Sequence, residues 1–270
     1  MKVTVVTPTA RPWDMLSQQA EWLKKQTMPP AEFEWVIIDD LYEERKGWVA
    51  GIETPFRIVH RPPRAITRTY GFASACNTGL VYASGKLVHF MNDYIELRPG
   101  VLERHWDIYT RWGPSVIING PTEALPFARR GPQKVPDIML EEGLGEVTEW
   151  PGLVFDYLSQ WRKSWHAGRS DSAPLVALIE ANGFDERLDG AHGGADDELG
   201  IRLRNLGCRY LLDRLVWSFD HPHKFTPKPQ GKRKREWKEL YMVALAKRTT
   251  EAPNSFNLTE LRKEILCLAS

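Results

Sequence analysis

Apolar residues fall along this chain in two alternating rhythms. Short, unbroken, β-branched runs mark strands: Lys2 to Thr7 (KVTVVT), Phe33 to Ile38 (FEWVII), Arg57 to His60, Lys86 to Met91 (KLVHFM), Ser115 to Asn119 (SVIIN) and Tyr210 to Phe219. Segments with a helical period lie between them. Asp14 to Gln26 places Leu16, Ala20 and Leu23 on one face. Tyr70 to Ala83 reads as a helix stopped by Gly85, and Leu102 to Trp112 and Leu153 to His166 read as helices too. Leu199, Leu203 and Leu206 share one face of a later helix. Strands alternating with helices predict βαβ units, hence an α/β fold with a mostly parallel sheet covered on both faces.

Ligands of such sheets bind outside the carboxyl ends of the strands. Three predicted strand ends carry polar groups: Thr7-Pro8-Thr9, Asp39-Asp40 and Asn92-Asp93. A parallel sheet would line all three along one edge. Residues 121–151 hold five prolines and three glycines with little periodicity. Such a segment is either a lid-like binding loop or a surface excursion.

Composition adds little that is specific. The chain has 270 residues, 42% hydrophobic and 26% charged, with a formal net charge of +1. That is an ordinary globular make-up, and whole-molecule charge points to no partner. No run approaches the roughly 18 apolar residues of a membrane span. The opening MKVTVVTPTARP lacks the apolar core of a signal peptide. The three cysteines, Cys76, Cys208 and Cys267, suggest neither a disulfide framework nor a zinc knuckle, so a reduced, cytoplasmic setting is expected.

The candidate chemistry lies in acids. One carboxylate at a strand end, Asp93, can hold a hard divalent cation such as Mn²⁺ or Mg²⁺ when waters and a substrate diphosphate complete the shell. His221 or His223 of the FDHPH segment offers a second ligand. Asp93 can equally cap the following turn. Asp39 and Asp40 can accept hydrogen bonds from a base or ribose, or cap a turn. In GGADDELG, Gly193 and Gly194 allow close backbone approach to a ligand. Asp196 can act there as a general base, while Asp197 and Glu198 suit the positive end of a helix. Trp150, Trp161 and Trp165 form either core or a stacking platform for a sugar or base.

Taken in order, VTVVTPTARP, FEWVIIDD, ASACNTGLVYASGKLVHFMNDYIELRPG, NGFDERLDGAHGGADDELGIRLRNLGCRY and SFDHPH resemble an inverting family-2-type glycosyltransferase. The acceptor-side block is similar to that of galactosyl- and N-acetylgalactosaminyl-transferases. The resemblance implies a GT-A (Rossmann-like) domain over residues 1–225, with a nucleotide-sugar half at 1–100 and an acceptor half at 101–225. A basic, then helical, tail would cover 226–270. It implies Mn²⁺ or Mg²⁺ on Asp93, His221 and His223. Thr7, Pro8, Thr9, Arg11, Asp39, Asp40, Arg68, Asn77 and Asn92 would bind the nucleotide. Asp196 would be the catalytic base, and Gly193, Gly194, Asp197 and Trp165 would meet the acceptor or sugar.

This chain departs from the family pattern at three places. The usual DxD reads Asn92-Asp93-Tyr94, the usual Glu-Asp pair reads Ala195-Asp196, and Cys76 replaces a frequent arginine. The implied activity is transfer from a nucleoside-diphosphate sugar, such as a UDP-sugar, to an acceptor hydroxyl. Acceptor glycans, lipid-linked substrates and polyanions, nucleic acid among them, are the partners considered. Basic stretches at 57–68 and 224–238 motivate the polyanion. Two rivals remain at this level: a nucleotidyltransferase, though TPTARPWDM lacks a glycine-rich phosphate loop, and a non-catalytic nucleotide-sugar-binding module.

Overall fold

The computed structural model describes residues 1–11, 15–64, 71–124, 146–147, 150, 152–155, 171–190, 194–215, 218–222, 239 and 247–268. Its strands are β1 (Val3–Thr9), β2 (Phe33–Asp39), β3 (Arg57–Arg61), β4 (Leu87–Phe90), β5 (Ile95–Leu97), β6 (Val116–Asn119), β7 (Thr122–Ala124), β8 (Glu146–Val147), β9 (Leu153–Phe155), β10 (Asp171–Pro174), β11 (Arg209–Asp213) and β12 (Ser218–Asp220). Its helices are α1 (Leu16–Leu23), α2 (Tyr42–Ala50), α3 (Phe72–Tyr82), α4 (Val101–Trp112), α5 (Leu175–Glu180), α6 (Ala195–Asn205) and α7 (Leu258–Leu268).

Among the described residues, nine strands form one sheet in the order β3-β2-β1-β4-β10-β6-β11-β9-β8. Strands β3, β2, β1 and β4 run parallel. β10 is inserted antiparallel between β4 and β6, and β11 resumes the parallel direction beside β6. The central strands are buried on both faces, which explains their continuous apolar sequences. One core packs α3, α5 and α6 against the sheet, and the other packs α1 and α4 against its opposite face. The expected α/β architecture with a mostly parallel sheet between helices is what the chain forms. A small second sheet, β5-β12-β7, stands beside the end of β4.

Several local expectations change. Leu153–Phe155, expected to open a helix, pairs antiparallel with β11, while residues 156–170 lie outside the described ones. The run expected as one strand from Tyr210 to Phe219 divides into β11 and β12, which belong to different sheets. Strand β10 and helices α2 and α5 were not anticipated. Most of the expected loop at 121–151 and of the basic stretch at 224–238 falls outside the described residues.

The last described segment belongs to the same body. Arg262 donates to the carbonyls of Leu80, Val81 and Ala83, where α3 ends and its last carbonyls lack helical partners. Ala252 and Leu258 are buried.

Two buried polar clusters carry measurable weight. Arg202 and Glu198, 0% and 3% exposed, pair on α6 through Nε–Oε1 and Nη2–Oε2 contacts of 2.7 Å each. The remaining guanidinium protons reach the carbonyls of Ala181 and Gly183. Removing one partner of such a pair strands the other charge. Glu198→Ala should therefore lose about 3–5 kcal/mol in a urea titration.

His89, His105 and Ser172 meet in the core between β4, α4 and β10. Both imidazoles place Nδ1 on the same hydroxyl, at 2.9 and 2.8 Å. A hydroxyl has one proton, so it donates to one ring and accepts from the other. Burial holds His89 down to about 3. Burial, followed by the charges of His89 and Arg104, holds His105 well below its ordinary range. The unfolded chain therefore binds protons that the folded chain refuses. Stability should be full above about pH 6.5 and fall as pH drops from there toward 3. Denaturation midpoints measured across this window should show a slope that flattens in His89→Gln.

Candidate active site at the carboxyl edge of the sheet

Parallel pairing aligns the ends of β2, β1 and β4, with Thr9 opposite Asp39 and Val6 opposite Phe90. The three predicted polar ends thus share one edge. Thr9 joins them. Its carbonyl accepts from the Asp40 amide at 3.0 Å, and its hydroxyl donates to Asp93 Oδ2 at 2.7 Å. Asp93 is 2% exposed. Its Oδ1 pairs with the Arg11 guanidinium, which lies 4.6 Å from the centre of the Tyr94 ring.

Helix α1 fixes the turn that carries Asp93. Buried Gln19 donates to the carbonyls of Asn92 and Ile95 at 2.8 and 3.3 Å. Gln26 does the same at Leu97 and Arg98. Asn92 itself donates through Nδ2 to the Tyr94 hydroxyl. Strand β12 then brings in His221, whose amide bonds the Tyr94 carbonyl at 3.0 Å. Its imidazole stacks on Trp22 at 4.6 Å, with Nε2 2.6 Å from Glu96 Oε2. His221 is thus one backbone step from the Asp93 turn, with its ring on Glu96.

The adjacent acids Asp39 and Asp40 divide their roles. Asp39 is fully buried. It accepts from the Leu41 amide, from Arg45 and from His60 Nε2 at 3.1 Å, and so caps the turn into α2. Asp40 faces the edge half-buried. Burial, then the charges of Asp39 and Asp189, push its carboxyl up to about 6.

Asp189 is a residue that the sequence reading missed. It accepts from the Ala73 amide at 2.7 Å and the Ser74 amide at 3.1 Å, capping the start of α3. Beneath it lies buried Cys76, whose thiol is raised by burial and then by the charges of Asp189 and Asp196. Asp196 opens α6 after Gly194, which takes φ +97° and donates its amide to Asp196 Oδ1 at 3.2 Å. Thr9 thus joins Asp93 to Asp40, Asp40 feels the charge of Asp189, and Cys76 feels those of Asp189 and Asp196, so these acids gather at one edge.

Other expected residues sit elsewhere. Thr7 is buried and accepts from Trp35 Nε1 at 2.8 Å, inside the core. Pro8 lies in β1 between Thr7 and Thr9. Asn77 is buried, with Nδ2 donating to the Phe184 carbonyl and Oδ1 accepting the Phe184 amide. It clasps two segments together. Asp197 follows Asp196 in the first turn of α6. Trp150 packs against Trp112 and the Arg104 guanidinium. Arg68, Trp165, Gly193 and His223 lie outside the described residues. In the basic stretch at 57–68, Arg57 and Arg64 are paired with Glu34 and Glu186. Two clefts, of about 580 and 530 Å³, open beside α2, one against α1 and the other against β3. Neither is lined by Asp40, Asp93, Asp189 or Asp196.

Comparison with known proteins fits this geometry. No family model matches the chain. Two validoxylamine A glucosyltransferases are similar in sequence. That of Streptomyces hygroscopicus subsp. limoneus is 26% identical over 241 residues, covering 83% of this chain and 52% of the relative. That of S. hygroscopicus subsp. jinggangensis is 25% identical and 56% covered. The chain thus spans about half the length of the curated relatives it matches. Among solved structures, S. aureus TarS 1-349 in complex with UDP-GlcNAc superposes with a TM-score of 0.64 at 14% identity, over 97% of this chain and 69% of that one. GalNAc-T7 with UDP, GalNAc and Mn²⁺ gives 0.66 at 11% identity, over 97% and 53%. The chain has the GT-A fold. The resemblance to GT-A glycosyltransferases read from the sequence is supported by relatives and structural neighbours alike. Among the described residues, no helix is long and apolar enough to cross a membrane.

The Asp40 environment is directly measurable. Carboxyl carbon NMR should find Asp40 titrating near 6. Asp189→Asn removes a neighbouring negative charge and should move that titration downward. An Asp40 midpoint near the ordinary value of about 4 in the unaltered protein would contradict the arrangement.

Proposed function

We propose that this chain is an inverting glycosyltransferase that moves a sugar from a UDP-sugar to an acceptor hydroxyl. The observation that carries the reading is Asp93. It is a buried strand-end carboxylate, already paired with a cation, on the same edge as Asp40 and linked to it through Thr9. Structurally similar proteins support the donor: TarS in complex with UDP and with UDP-GlcNAc, and GalNAc-T7 with UDP and GalNAc. The glucosyltransferase relatives support sugar transfer.

Asp93 fits Mn²⁺ or Mg²⁺ by the chemistry of its surroundings. A buried carboxylate that carries a guanidinium lies in a place built for positive charge, and waters with a diphosphate can complete a hard cation's shell. His221 and His223 are the further ligands in this reading, and His221 reaches the site only by leaving Glu96. A divalent cation bound there supplies Lewis-acid stabilisation of the departing diphosphate. The protein's own groups do the rest. Thr9 orients Asp93, and Asp40 receives a hydrogen bond from the ribose or base. Asp196 takes the proton of the acceptor hydroxyl through its carboxylate as that oxygen attacks the anomeric carbon. Asp196 lies in the first turn of α6, directly after the Gly194 turn. Asp189 holds the start of α3 against this edge. The acceptor is a hydroxyl-bearing molecule, and the paired state of Arg57 and Arg64 does not favour a polyanion along that stretch.

Purified protein should release UDP from at least one UDP-sugar, and UDP should raise its melting temperature in the presence of Mn²⁺. Asp93→Ala should lose the Mn²⁺-dependent part of that rise. Asp196→Asn should remain folded, still bind UDP, and lose about 10²–10⁴-fold in turnover. Full turnover in folded Asp196→Asn would remove the base assignment. Pyrophosphate as the product would indicate nucleotidyl transfer, and binding without turnover would indicate a binding module.

A further inference from the structure

On the reading that Asp93 holds a divalent cation, we propose that Arg11 is the resident counter-ion of that carboxylate. Arg11 covers Asp93 while no donor is bound and passes to the donor's diphosphate when the metal takes its place. Three features support this. Both Asp93 oxygens are engaged, Oδ2 by the Thr9 hydroxyl at 2.7 Å and Oδ1 by the Arg11 guanidinium. The Asp93 side chain is 3% exposed, whereas that of Arg11 is 21% exposed. Arg11 lies two residues beyond the end of β1, so its side chain can turn outward with little disturbance to the sheet. The third feature is Tyr94, whose ring lies 4.6 Å from the guanidinium and gives it a platform beside Asp93.

Charge explains why the exchange would be needed. A buried carboxylate without a counter-ion is strongly disfavoured, and Arg11 balances it one to one. A divalent cation on Asp93 beside Arg11 would leave a local excess of positive charge in a poorly solvated place. A diphosphate restores the balance because it gives the guanidinium a bidentate anionic partner. Metal and nucleotide should therefore assist each other's binding, and by linkage the assistance is mutual. Arg11 acts here as a positioning and electrostatic residue, not as a participant in bond making.

The test is Mn²⁺ binding, followed by the loss of the free-ion electron paramagnetic resonance signal, with and without UDP. Wild type should bind Mn²⁺ weakly alone and tightly with UDP. Without UDP, Arg11→Gln should bind Mn²⁺ at least about tenfold more tightly than wild type, because the competing cation is gone. With UDP present, the same variant should hold the nucleotide more weakly. Tyr94→Leu removes the platform but keeps the charge, and should shift nucleotide-free Mn²⁺ affinity in the same direction by less. It also keeps the test alive if Arg11→Gln does not fold. Equal or weaker nucleotide-free Mn²⁺ affinity in the Arg11 and Tyr94 variants, with UDP-dependent binding intact in wild type, overturns the counter-ion role alone. Absence of Mn²⁺ binding in every form, while UDP still binds, overturns the metal reading of Asp93 and this proposal together.

Discussion

The segment that leads to Asp189 is held in place by hydrogen bonds that converge on the backbone of Asn182, Gly183 and Phe184. Asn77 in α3 reads both the amide and the carbonyl of Phe184. Arg202 in α6 reaches the carbonyl of Gly183, and Asn254 reaches those of Asn182 and Phe184. The approach is so close that a Cβ on Gly183 would lie 2.2 Å from Asn77 Oδ1, and the glycine sits at φ +68°. Only glycine meets both demands without strain. From this node the chain runs through Asp189 to the glycines before α6. The spacing between the strand-end acids and Asp196 thus depends on backbone contacts made beneath them.

The site's carboxylates are distinguished by what surrounds them. Asp39 is saturated with donors and serves the fold. Asp93 has a hydroxyl and a cation. Asp189 has two backbone amides. Asp40 is half-buried, and burial, then the charges of Asp39 and Asp189, push its carboxyl up to about 6. Identical side chains placed a few residues apart along an edge thereby acquire different chemistry, through burial and neighbours alone.

Much of this edge was legible in the sequence because parallel strands advertise themselves as unbroken apolar runs and end on polar residues. Asp93, Asp40 and Thr9 were found that way. The two readings of Asp39 could not be separated from sequence, because the deciding partner, His60, belongs to another strand. Asp189 gave no local signal at all, since the amides it caps lie 116 and 115 residues earlier. Strand β10, sequence DSAP, has no β-branched residue and is a strand only because β4 and β6 flank it. Helix α2, YEERKGWVA, buries Val49 alone and so shows almost no apolar stripe. Leu153–Phe155 has apolar residues that suit either period, and β11 decides the matter.

The grip of Arg262 on the end of α3 spans 182 positions of sequence at its longest. Strand β10 must likewise enter the sheet between β4 and β6 long after both have been made. During synthesis, therefore, the first hundred residues leave the ribosome with an open sheet edge at β4 and an uncapped α3. Contacts of such high sequence separation form late and slowly. The open edge at β4 and the bare end of α3 are thus completed only by segments that follow much later in the chain.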